Sequence, residues 1–113
     1  PHLFFNLPKA CKDGGPDYRL VAFRIRETEE KIWPTPENPM DADIAKDFCA
    51  DRETGWVALT NCNNDKKDAK LKIKDFNYMH AEVWYDVVAE NCSNPEDTIS
   101  LDPRIENRGT RDA

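Results

Sequence analysis

"WVALTNCNNDKKDAKLKIKDFNYMHAEVWYDVV", residues 56 to 88, is the stretch whose reading decides the fold. Leu71 and Ile73 alternate with Lys70, Lys72 and Lys74, the period-two pattern of a half-buried strand with a lysine face, here over 70–76. In 80–88, Val83, Trp84, Val87 and Val88 also fit a helical stripe, but the β-branched and aromatic content favours a strand. Residues 56–62 read as a third strand. Turns fall in "NNDKKDA" and near Asn77. Three strands in close succession with short turns predict an antiparallel meander.

Outward from this stretch, "YRLVAFRIR" (18–26) alternates Val21, Phe23 and Ile25 on one face against Arg24 and Arg26, with Leu20 and Ala22, on the other, another strand pattern. "WPTPENP" (33–39) is a proline-stiffened extended loop. A helix is predicted over about 39–50. Asn38 suits its cap, Pro39 its first position, and Asp41 and Asp43 its first turn, where the dipole favours anions. Ile44, Ala45, Phe48 and Cys49 fall on one apolar stripe. The opening residues carry an apolar patch, Leu3 to Phe5, before the Gly14-Gly15-Pro16 break. The tail, 93–113, reads as polar and loop-like, with room for a short strand at 98–101. The expectation is one domain spanning 1–113, of α+β class: one short helix packed on a four- to five-stranded antiparallel sheet, with two disulfides.

Four cysteines at wide, unequal spacing in 113 residues favour two disulfides and an oxidising compartment. Zinc sites bring paired ligands from short segments, and nothing here is spaced that way, so no metal is expected. In the meander, Cys62 and Cys92 emerge at the same end of the sheet. Cys49 sits at the start of strand 56–62, about six residues at roughly 3.3 Å each from Cys62 and beyond bridging reach. The predicted pairs are therefore Cys62–Cys92 and, by elimination, Cys11–Cys49.

The net charge of −6 argues against a general nucleic-acid or membrane-surface binder. No apolar run is long enough to span a bilayer. Pro1 in place of methionine reads as a mature or trimmed product, or as a module of a larger extracellular protein. A secreted, extracellular location is expected, without cofactor or membrane, and with a protein as partner.

Four features carry candidate chemistry. His80 and Glu82 share a strand face with Trp84 and Asp86, and a histidine beside a carboxylate suits acid–base work. The same alternation also describes an ordinary wet face over a core of Met79, Ala81, Val83, Tyr85 and Val87. Lys66, Lys67, Lys70, Lys72 and Lys74 could join Arg24 and Arg26 in one basic binding face if their strands are neighbours; alternatively, lysines protect an edge strand from aggregation. Asn91-Cys92-Ser93 matches the N-glycosylation triplet. The Trp33–Asn38 loop reads first as a stiff connector before the helix, and second as an extended, proline-stiffened ligand. A calcium loop, a P-loop, a G-x-S-x-G elbow and a C-x-x-C pair are absent from the sequence.

Strand, helix and antiparallel meander held by two disulfides resemble the layout of small secreted microbial ribonucleases, and of secreted fungal effectors on similar scaffolds. The resemblance covers layout from about 18 to 92. It implies His80, Glu82 and Arg24 or Arg26 as the catalytic candidates, without a second suitably placed histidine. The leading expectation is a non-enzymatic secreted binding protein of host-interaction type. The alternative is a ribonuclease-like hydrolase using His80 and Glu82, or an inactive scaffold of that kind.

Overall fold

The computed structural model describes residues 2–7, 10–11, 17–74, 80–101 and 104–108. It is a mixed α+β fold, with one short helix and two antiparallel sheets among these residues. The first sheet has the order β1 (His2–Asn6), β4 (Lys70–Lys74), β3 (Asp65–Lys66). The second is built around the long β5 (His80–Asn91). On one side of β5 lies β2 (Tyr18–Arg26); on the other lie β6 (Asn94–Leu101) and then β7 (Arg104–Arg108).

The expected meander does not form. Strands 70–74 and 80–91 exist, but they belong to different sheets. Leu71 and Ile73 point inward from one sheet, and Val83, Tyr85, Val87 and Ala89 from the other. Both apolar faces enter one core together with Met40, Ile44, Ala45 and Phe48, so alternation is satisfied without pairing β4 with β5. Phe5, Phe23 and Tyr85 close the seam, with ring centroids 5.0 to 5.7 Å apart.

Residues 56–62 are not a strand. Trp56 and Val57 make only isolated bridges, to Arg24 and Ala50. The chain then turns back: Ala58 N–H donates to the Cys49 carbonyl at 3.1 Å, and Cys62 and Asn63 take left-handed backbone conformations. This overturns the predicted disulfides. The pairs are Cys49–Cys62 and Cys11–Cys92, with Cα–Cα distances of 6.3 and 5.6 Å. The span assumed between Cys49 and Cys62 requires extended backbone, and a turning chain shortens it.

The helix α1 (Ala42–Phe48) lies inside the predicted range. Its cap is Asp41, not Asn38: the Asp41 carboxylate accepts from the N–H groups of Asp43 and Ile44. Asn38 instead exchanges backbone hydrogen bonds with Thr35. Cys49, at φ 59°, ends the helix, while Ile44, Ala45 and Phe48 enter the core.

The tail expected to be a loop is the far edge of the second sheet. β6 pairs with Val87–Asn91 of β5, and β7 continues along the same edge opposite His80–Trp84. Most of the β6 side chains are exposed, so its sequence lacks the alternation that marks a half-buried strand.

Candidate functional site

The outer face of β2 carries Arg24 and Arg26, on the side opposite the buried Phe23 and Ile25. Arg26 is fully buried and nails down the following loop. Its Nε donates to the carbonyls of Thr28 and Glu30, its Nη2 to that of Glu29, and its Nη1 to Asp86 Oδ1 at 3.3 Å. Lys31 Nζ lies 3.9 Å from the other Asp86 oxygen. With 28–31 so fixed, Trp33 folds back over β2. Its ring lies 4.9 Å from the Arg26 guanidinium and 4.2 Å from that of Arg24.

Trp56 approaches Arg24 at 4.5 Å. It is held there by Gly55, whose carbonyl accepts from Ile25 N–H at 2.9 Å and whose φ of +85° suits glycine. A Cβ at position 55 would collide with the Ile25 carbonyl oxygen. Arg24 is thus flanked by two indoles, and its Nε donates to the Thr54 carbonyl at 2.8 Å. Among the described residues, no acceptor meets its Nη1 or Nη2. Burial pulls the Arg24 guanidinium below its ordinary value, opposed by the nearby Asp86 charge, yet an arginine stays protonated.

Trp56 is 42% exposed and is also one wall of a groove of about 640 Å³. Ala45, Val57 and Ala58 line it, together with both half-cystines of Cys49–Cys62. Lys46 and Asp51 supply its charged side chains. The Arg24 edge and this groove therefore meet at one side chain.

The lysines lie elsewhere. Lys70, Lys72 and Lys74 stand on the outer face of the first sheet, in register with Asn6, Phe4 and His2. The predicted single basic face joining them to Arg24 and Arg26 does not exist, because the two sets sit on different sheets. Nor is β4 an edge strand; β1 and β3 flank it. Phe4 is 66% exposed amid this face. Loss of some hydration, then the charges of Lys72 and Lys74, depresses the exposed His2 imidazole from its ordinary value.

Glu82 is exposed on β5, and its face parity follows the sequence, since Val83, Tyr85 and Val87 are buried on the other side. The side chain of His80 and the whole of Met79 lie outside the described residues. Asn91 is engaged at both ends of its amide: Nδ2 donates to Asp97 Oδ2, and Oδ1 accepts from Ser93 N–H. Its neighbour Cys92 is bonded to Cys11.

Trp56 and Asp86 escaped the reading of residues as binding candidates. In the sequence, Trp56 reads as part of a strand and Asp86 as a member of the His80–Glu82 face. An uncommon residue in a polar stretch beside glycine was the only available signal for Trp56. Among the described residues, no cluster of His, Cys, Asp and Glu could hold a metal ion, and no helix is long and apolar enough to cross a membrane. Comparison of the chain with protein-family models, curated proteins and solved structures finds no match.

Proposed function

We propose that this chain is a secreted, non-enzymatic binding protein of host-interaction type, and that the surface formed by Arg24, Trp33, Trp56 and the adjoining groove is its contact surface. Two disulfides suit an oxidising, extracellular setting. The observation that carries the reading is Arg24 flanked by two tryptophans, one of them 42% exposed at the rim of an apolar groove. Tryptophan and arginine are enriched in binding hot spots, and the stacking here holds the Arg24 side chain in place within the chain itself.

The partner is a protein. Arg26 contributes by positioning, since its donors are already occupied within the chain. The test is capture of extracellular proteins by wild type, Trp56→Ala, the double reversal Lys70→Glu/Lys72→Glu, and His80→Ala. A partner retained by His80→Ala and by the lysine variant, and lost at least tenfold with Trp56→Ala, supports this surface. A partner lost only with the lysine variant moves the contact surface to the first sheet. RNA cleavage by wild type that disappears in His80→Ala overturns the non-enzymatic reading.

A further inference from the structure

The Arg24 site has a chemistry more specific than a hydrophobic patch. Its guanidinium is immobilised by the Thr54 carbonyl at Nε and by an indole at 4.2 Å and another at 4.5 Å. The Nη1 and Nη2 edge is the part left without an acceptor among the described residues. A guanidinium edge offers two parallel N–H donors, the geometry of a carboxylate. Flanking indoles displace water from its faces and so strengthen a charge-assisted bond at the edge.

The charge around the site limits the anion it can hold. Arg24, Arg26 and Lys31 lie around the Asp86 carboxylate, and the adjoining loop adds Glu27, Glu29 and Glu30 on a chain of net charge −6. Asp86 and the overall field oppose a dianion more than a monoanion. Beside the edge, sharing the Trp56 wall, lies an apolar groove roomy enough for a large side chain.

We propose that Arg24 is a carboxylate receptor: its outward edge binds one aspartate or glutamate side chain of a protein partner, while a neighbouring apolar residue of that partner lies along Trp56 in the groove over Cys49–Cys62. This rests on the contact surface assigned above and names the group it recognises. The carboxylate supplies direction; the groove supplies apolar burial.

The probe is 4-phenylbutyrate, which joins one carboxylate to one apolar group, with the neutral 4-phenylbutanamide and inorganic phosphate as comparisons. Binding is read from the indole N–H resonances of Trp33 and Trp56 in the oxidised protein. Saturable shifts with the acid, at least tenfold weaker shifts with the amide, and an affinity about tenfold lower in Arg24→Lys are expected. Arg24→Lys keeps the charge but loses the fork, and unchanged backbone spectra show that it remains folded. Equal binding of acid and amide overturns the proposal, as does acid binding indifferent to Arg24→Lys. Phosphate displacing the acid at equal concentration replaces the carboxylate with a general anion. If no probe binds while Trp56→Ala still loses the captured protein, the carboxylate assignment fails and the contact surface stands. If neither occurs, both fail.

Discussion

Arg24 and Arg26 are two residues apart on one strand face, yet their surroundings give them different work. Arg26 meets three carbonyls of the 28–30 loop and the Asp86 carboxylate, and a buried charge needs such company to be tolerated. Arg24 meets one carbonyl and two indole faces, which leaves its end outward. A second residue-scale device joins strands at the other end of the sheet. Tyr18 donates to Asp97 Oδ2 at 2.7 Å, and Asn91 donates to the same oxygen at 3.1 Å. The Tyr18 bond, then that of Asn91, lowers the Asp97 carboxyl below its ordinary value; the Asp97 bond, then burial, raises the Tyr18 hydroxyl. A carboxylate depressed on folding stabilises above its unfolded value and loses that contribution as pH falls through the folded one. Asp97→Asn should therefore unfold at lower urea than wild type at neutral pH, and the gap should close as pH drops below about 4. A gap of constant size across that range would show that the Asp97 charge adds nothing to stability. Strand parity made the exposure of Glu82 legible, but not the burial of Asp86 on the same face beneath Arg26 and Lys31. The contrast between Arg24 and Arg26 was not legible, because it depends on residues 28–30 and 54–56 folding back from elsewhere.

At the scale of elements, α1, β4 and β5 were legible, since each carries a periodic apolar pattern that its burial repeats, whereas in β2 a register shift between Leu20 and Ala22 buries Leu20 in place of Val21. Stretch 56–62 misled because apolar content resembles a strand even where the chain is turning. Asn64 shows what shapes it: its side chain donates to the Ala58 carbonyl and accepts from Lys74 N–H, both at 2.6 Å, tying the turn to β4. Nothing local to 56–62 announces that long-range clamp. The two disulfides then act over very different spans. Cys49–Cys62 closes 13 residues and Cys11–Cys92 closes 81. On a chain-entropy account, these spans correspond to about 3 and about 4.5 kcal/mol of restriction on the unfolded chain. The paired substitution Cys11→Ser/Cys92→Ser should therefore lower stability more than Cys49→Ser/Cys62→Ser, measured by urea unfolding at fixed pH. The reverse ranking would mean that folded-state effects outweigh loop closure. Peptide mapping without reduction should recover a 49–62 crosslink.

Over the whole molecule, what decides the architecture is which apolar face packs on which, and one sequence leaves that open. Alternation tells that Leu71 and Ile73 face inward, and it tells the same of Val83, Tyr85 and Val87. It does not say whether those faces lie side by side in one sheet or oppose each other across a core. The single expected sheet and the observed pair satisfy alternation equally. What separates them is the Phe5–Phe23–Tyr85 cluster, because Phe5 belongs to β1 while the other two rings belong to β2 and β5. Because β4 pairs with β1 and β3 and not with β5, Phe5 meets those two rings across the seam between the sheets. Phe23 is wholly buried at this seam, so Phe23→Ala should cost about 3–5 kcal/mol from lost transfer energy and a residual cavity. Because both sheets bury their faces in the same core, that loss should be felt on both sides of the seam. Hydrogen exchange of the β4 amides should then accelerate in step with that of the β5 amides, although Phe23 belongs to neither strand. Acceleration confined to β2 and β5, with β4 unchanged, would show that the first sheet holds together without the second and that the two do not unfold as one unit.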